Sequence, residues 1–205
     1  MKYEWRKHEK ELYSAKETPR FITAPAQNYI MISGRGNPNG PDFSDRVGVL
    51  YSLAYAIKME YKKSAAKADF QGEITDYTVY PLEGVWESLQ DAELVKENLI
   101  YTIMIRQPDF IGKEMVSAAW ERVKAKKPAP LLEEVRFDTM QEGKCIEVLH
   151  IGPFDDEPAS FAKMEQFAKE NHLERAQSCH REIYLNSANR TDKAKLKTIL
   201  RYTVK

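Results

Sequence analysis

A chain of 205 residues with 31 Lys and Arg against 31 Asp and Glu carries no formal net charge, and its 30% charged and 42% hydrophobic fractions are those of an ordinary folded domain. Its 22 aromatic residues (3 Trp, 11 Tyr and 8 Phe) are ample core material, which excludes intrinsic disorder. The chain also lacks the surplus of Lys and Arg on which phosphate contacts depend, so nucleic acid is not an expected partner.

From the N-terminus, the first twenty residues hold ten charged side chains and no apolar run of the kind a signal peptide needs. No stretch anywhere reaches the roughly 18 apolar residues of a membrane helix. Two cysteines, Cys145 and Cys179, are too few for a disulfide framework, and a cytoplasmic protein without a membrane partner is expected. Arg20 to Gly36 then reads as a short extended segment, a turn and a second, apolar strand. Asp42 is a plausible helix N-cap, followed by Val47, Leu50, Ala54, Ile57 and Tyr61 at the 3,4 spacing of a helix with one buried face. Tyr51 and Tyr55 flank that stripe, and Lys62, Lys63 and Lys67 form its solvated end. Two strand-like runs follow, Asp76 to Trp86 and Asn98 to Pro108. A linking helix over about 112–125 carries Val116, Ala119, Trp120 and Val123 and ends at the Pro128/Pro130 turn.

The same order then recurs. At an offset of 116, Arg136 to Gly152 lies over Arg20 to Gly36 without gaps, with five identities in seventeen positions that include Gly36/Gly152. Asp156 can cap a second helix with Pro158 in its first turn and Phe161, Met164 and Ala168 along its stripe. His180 to Asn186 and Lys197 to Val204 supply two more strands. The expectation is an α+β fold, one domain over residues 1–205 built of two repeats, about 18–108 and 132–205. The repeats share an antiparallel sheet with helices on one face and leave a ligand cleft between the halves.

Alternation along HREIYLN puts Arg181, Ile183 and Leu185 on one face and His180, Glu182 and Tyr184 on the other. Ile183 and Leu185 are expected to pack on the helices, leaving Glu182 among rings on the opposite face. A partly desolvated carboxylate there suits a general acid or base, or a counter-ion for a cationic ligand; a surface Glu on an open sheet face is the plainer alternative. Glu83 in YPLEGVW is a second carboxylate at a similar place in the first copy, on the face opposite Trp86 unless Pro81 and Gly84 introduce a bulge. Tyr51, Tyr55, Trp86, Trp120, Phe154, His150, His180 and Tyr184 are the candidates to line a site, since rings bind flat or cationic ligands by stacking and cation–π attraction. GRGNPNG does not keep the dinucleotide-binding spacing. Cys145, His150, Cys179, His180 and Glu182 lack any metal-ligand spacing, and no cofactor or metal is expected.

The succession GRGNPNGPDFSDRVGVLYSLAYAIKM, YPLEGVW, MIRQPDF, LHIGPFDDEPASFAKM, HREIYLN and LKTILRYTV resembles the GyrI-like small-molecule-binding family over essentially Tyr3 to Val204. The resemblance implies tandem strand-helix-strand-strand (SHS2-type) units about a pseudo-twofold axis. It also implies a cleft whose central-strand glutamate, here Glu182, meets flat cationic ligands. The long LYSLAYAIKM helix with the PLEGVW and IRQPDF segments is similar to the stand-alone cyclopropanoid cyclopropyl hydrolases, which open the strained ring of DNA-alkylating natural products by adding water in an aromatic cage. The expected partner is therefore a small aromatic or cationic molecule, to be hydrolysed or, alternatively, only sequestered. Monomer and weak dimer both remain open.

Overall fold

The computed structural model describes residues 1–87, 96–126 and 129–205. Pro128 of the expected turn lies outside the described residues, and Pro130 opens a short 3-10 turn. In chain order the elements are β1 (Lys2–Tyr3), α1 (Trp5–His8), α2 (Lys10–Tyr13), β2 (Arg20–Ala24), β3 (Gln27–Arg35), α3 (Pro41–Ala65), β4 (Asp76–Tyr77) and β5 (Leu82–Glu87). They continue with β6 (Ile100–Gln107), α4 (Lys113–Lys126), β7 (Arg136–Met140), β8 (Gly143–Ile151), α5 (Glu157–Glu170), β9 (His180–Tyr184) and β10 (Lys197–Thr203). No described helix is long and apolar enough to cross a membrane.

Eight strands form one mixed-order antiparallel sheet, β2-β8-β10-β9-β5-β6-β3-β7, while β1 pairs in parallel with β4. The order reads the same backwards when β2, β3, β5 and β6 are exchanged for β7, β8, β9 and β10. The register obeys the same exchange. An offset of 116 carries β2 onto β7, β3 onto β8 and the start of α3 onto that of α5, and 97 carries β6 onto β10. The pairings of β5 and β9 with their neighbours then relate these two central strands by an offset of 98. Since Gly84 is paired directly with Glu182, the pseudo-twofold passes through that pair. Each opening strand crosses to the other half, β2 onto β8 and β7 onto β3. Pro25 and Ala26, which join β2 to β3, lack the positive φ that a tight hairpin turn requires.

Gly36 and Gly152 end the two long strands β3 and β8 with φ of 118° and 135°, a conformation that costs glycine little and other residues much. Their N–H groups make equivalent bonds, to the Leu99 carbonyl at 2.8 Å and the Leu196 carbonyl at 3.0 Å. The turn that follows differs from expectation in its cap. Gly40, not Asp42, is the N-cap of α3, with Pro41 in the first turn, and Asp42 instead accepts from Arg46 Nε one turn on at 2.8 Å. Asp156 does hold the N-cap position of α5, without a side-chain bond.

The inward stripe of α3, Leu50, Leu53, Ala54, Ile57 and Tyr61, is buried against Ile30, Ile32, Ile103 and Ile105 of the sheet, each large apolar side chain contributing roughly 1.5–3 kcal/mol. The stripe of α5, Met164 and Ala168, meets Ile146, Val148 and Leu200 in a second cluster. The linking helix α4 packs along α3 and buries Val116 and Ala119. The other sheet face is charged and covered by the N-terminal segment. Arg181 binds Glu83 and Glu142 there, Arg201 binds Glu142 and Glu147, and Arg20 binds Glu147. Tyr13 of α2 donates to Glu83 at 3.3 Å, and the Leu12 carbonyl accepts from Arg201 at 3.1 Å. Glu9, between α1 and α2, pairs with Arg106.

Candidate functional site

A cleft of about 1580 Å³ lies between the two halves, lined from α3 by Phe43, Val47, Tyr51 and Tyr55, from α5 by Glu157 and Phe161, from β5 by Leu82 and Trp86, and from β9 by His180, Glu182 and Tyr184. The expected faces of β9 are reversed with respect to the helices. Glu182 is paired with Leu200, which packs on α5, so His180, Glu182 and Tyr184 stand on the helix face, in the gap that α3 and α5 leave at the pseudo-twofold. Ile183 lies opposite Ile199 and Glu83 on the face that the N-terminal segment covers.

Glu182 is 8% exposed and held on both oxygens. Tyr184 donates its hydroxyl to Oε2 at 2.7 Å, and His180 Nε2 lies 2.9 Å from Oε1. Trp86 Nε1 in turn donates to the Tyr184 hydroxyl at 3.0 Å. Burial, and after it the charge of Glu182, push the Tyr184 phenol far up, so it keeps its proton and its donor bond to Glu182. This chain exists because Gly84 has no side chain: a Cβ there would stand 2.7 Å from Trp86 Nε1 and 3.4 Å from the Tyr184 oxygen. Phe161 meets the His180 ring edge-on at 4.8 Å, Phe43 stacks on Trp86 at 5.9 Å, and Phe154 meets Tyr184 edge-on at 5.9 Å.

Beside Glu182 stands a second carboxyl that the sequence reading missed. Glu157, the first residue of α5, is 7% exposed, and its Oε1 has no hydrogen-bond partner among the described residues. Burial first, then the charge of Glu182 and the hydrogen bond to it, push Glu157 up to about 9. Glu157 therefore keeps its proton at neutral pH. A signal was available: Glu157 stands four residues before Phe161 and seven before Met164, in line with the buried stripe of its helix. Glu157, His180 and Glu182 also form, among the described residues, the one group whose donor atoms, within 4.8 Å of one another, could suit a metal ion. His180 Nε2 is already engaged by Glu182 Oε1 at 2.9 Å, a bond that an ion held between those two atoms would replace.

Seven of the ten expected side chains line the cleft: Glu182, Tyr51, Tyr55, Trp86, Phe154, His180 and Tyr184. Three stand elsewhere. Glu83 is fully buried on the opposite face in its pair with Arg181, because the residue equivalent to Glu182 is Gly84, one position further on. His150 is buried with both ring nitrogens engaged, Nδ1 with Ser160 Oγ and Nε2 with the Pro153 carbonyl, each at 2.9 Å, so it fastens the start of α5 to β8. Trp120 packs against the main core from α4.

The match to known proteins agrees with this geometry. Residues 17–203 match the GyrI-like small molecule binding domain. The chain belongs to the GyrI-like family. No curated protein matches it. Three solved structures from Listeria innocua are similar over their whole length: an uncharacterized conserved protein (34% identity, TM-score 0.89, 99% of this chain and 100% of that one) and two described as hydrolases. The hydrolases share 33% and 32% identity, with TM-scores of 0.88 and 0.86, and cover 100% and 99% of this chain and 100% of their own. A GyrI-like domain binds small molecules, and the cleft between α3 and α5 sets aromatic rings beside the buried carboxyls of Glu157 and Glu182.

Proposed function

We propose that this GyrI-like protein is a hydrolase that opens the strained cyclopropane of flat aromatic molecules by adding water. The observation that carries the proposal is the buried Glu182 carboxyl, held on both oxygens by Tyr184 and His180 at the floor of an aromatic cleft. The hydrolase descriptions of two relatives about one-third identical over the full chain support it.

Glu182, fixed by Tyr184 and His180, receives the proton of a water whose oxygen bonds to the cyclopropane methylene. The strained C–C bond breaks, and its electron pair passes through the conjugated rings to a carbonyl oxygen, which takes up a proton from the medium. Trp86, Phe43 and Phe161 hold the flat frame and exclude competing water. His150 has no free ring nitrogen with which to help the carbonyl, whereas Tyr51 and Tyr55 bring phenols to the α3 wall.

Incubation of the protein with a spirocyclopropyl dienone in ¹⁸O-water, read by mass spectrometry, tests the proposal. One labelled oxygen should enter the product, and Glu182→Gln should lower turnover by about 100-fold or more while the ligand still binds. Stoichiometric binding with the ligand recovered unchanged would leave sequestration as the function. Undiminished turnover in Glu182→Gln would remove Glu182 from the chemistry.

A further inference from the structure

The cyclopropane reaction leaves one part of the site unused. Its electron pair ends on a carbonyl across the ring system, away from the attacked carbon. The carboxyl of Glu157 stands instead beside Glu182, at the carbon end, with donor atoms of Glu157, His180 and Glu182 all within 4.8 Å of one another. Glu157 lines the cleft, is buried, and has one oxygen with no hydrogen-bond partner among the described residues. A buried carboxyl oxygen left unbonded costs stability unless a ligand completes it.

An acid placed a few ångströms from a base fits a substrate whose leaving atom is bonded directly to the attacked carbon. We infer that the same pair hydrolyses epoxides borne on flat aromatic frames, with Glu182 as base on the water and Glu157 as acid on the ring oxygen. The inference rests on the reading of Glu182 as the residue that activates water. The water oxygen bonds to one epoxide carbon, and the C–O bond to that carbon breaks. The electron pair settles on the ring oxygen, which takes the Glu157 proton, while Glu182 takes the proton of the water. The product is a vicinal diol, nothing but water is consumed, and one proton transfer between the hydrogen-bonded carboxyls restores the starting state. The elevated affinity of Glu157 for its proton keeps the acid loaded at neutral pH.

The test gives 2-naphthyloxirane and a spirocyclopropyl dienone separately to wild type, Glu157→Gln and Glu182→Gln in ¹⁸O-water, with mass-spectrometric readout and thermal melts to check that each variant is folded. The expected result is a diol with one labelled oxygen, formed well above the buffer rate. Epoxide opening should fall by about 100-fold or more in both variants. Cyclopropane opening in Glu157→Gln should fall by less than about ten-fold, since the amide still donates a hydrogen bond but not a proton. Cyclopropane opened with the epoxide recovered unchanged, or full epoxide turnover in Glu157→Gln, would overturn the inference. Diol formed with the cyclopropane untouched would uphold it and overturn the cyclopropane proposal, and inertness toward both substrates would overturn both. Should Glu157→Gln not fold, the wild-type epoxide rate decides alone: it should decline above about pH 9 as Glu157 loses its proton, and a flat profile there counts against Glu157.

Discussion

Replacing Glu157 with Gln should make the protein's stability less sensitive to pH, by an amount that follows from the site. Burial and the neighbouring charge of Glu182 move the Glu157 carboxyl from its ordinary value of 4.5 up to about 9. Between those values the folded protein keeps a proton that the unfolded chain has released, so this group costs nothing below the lower value and lowers stability progressively as pH rises toward the upper one. Each pH unit inside the window is worth at most about 1.4 kcal/mol. From about pH 6 to about pH 8 the wild type should therefore lose up to ~2.7 kcal/mol through Glu157, a fall in Tm of roughly 5–10 °C for a chain of this size. Glu157→Gln preserves the shape and a hydrogen-bond donor toward Glu182 but has no proton to lose, and the titrating groups remote from the pair are common to both proteins and cancel. Urea unfolding of the two proteins at both pH values, followed by circular dichroism, gives the difference directly. Parallel loss of stability in the two would mean that Glu157 ionises like an exposed carboxylate, and it would then hold no proton for the epoxide reaction.

Three further substitutions probe the frame around the pair. Gly84→Ala places a methyl 2.7 Å from Trp86 Nε1, so it should cost about 1–3 kcal/mol and change the emission of Trp86; a silent, stable variant would show that the close approach is not real. Tyr184→Phe removes the donor to Glu182 and the acceptor for Trp86 together and should cost about 1–3 kcal/mol in thermal unfolding, with an unchanged Tm speaking against the hydrogen-bonded chain. Glu83→Gln strips Arg181 of its partner in a fully buried setting and should cost about 3 kcal/mol in chemical unfolding, although it touches nothing in the cleft; a loss below about 1 kcal/mol would show that Glu142 suffices for Arg181.

The parts of this molecule legible in its sequence are those set by local periodicity. The 3,4 stripes located α3 and α5, the alternating runs located β5, β6, β9 and β10, and the Gly36/Gly152 identity marked two turns whose φ demands glycine. Alternation also separated Glu83 from Trp86 correctly. It could not say which face of β9 meets the helices, because that depends on what covers the other face, and the cover is a charged N-terminal segment with no periodic signature. Its anchors, Glu9 on Arg106 and Tyr13 on Glu83, join residues some seventy or more positions apart. His150 and Trp120 were chosen for their chemical type, and tertiary packing had already spent both, one on Ser160 and Pro153 and the other on the core. Glu157 was overlooked because a carboxylate in a first helical turn is ordinary there, favoured by the helix dipole; only its alignment with Phe161 and Met164 marked it as inward-facing.

What makes the cleft a site is a departure from the symmetry that builds it. Equivalent residues of the two halves meet at the pseudo-twofold, Gly84 against Glu182 on the helix face. Had both halves carried glutamate there, two carboxylates would face each other directly across adjacent strands, a repulsive pairing. Had both carried glycine, the carboxyl of Glu157 would stand among the rings without its neighbour. On the reverse face the equivalent positions are Glu83 and Arg181, where opposite signs let the two halves form an ion pair close to the axis. The helix starts diverge in the same way, with Pro41 opening α3 and Glu157 opening α5. The first half thus supplies space and rings, through Gly84, Trp86 and Phe43, and the second supplies both carboxyls. The two carboxyls of the second half stand side by side in one opening, and that closeness is what suits the site to the proposed reaction, in which water enters and a proton is delivered at neighbouring atoms.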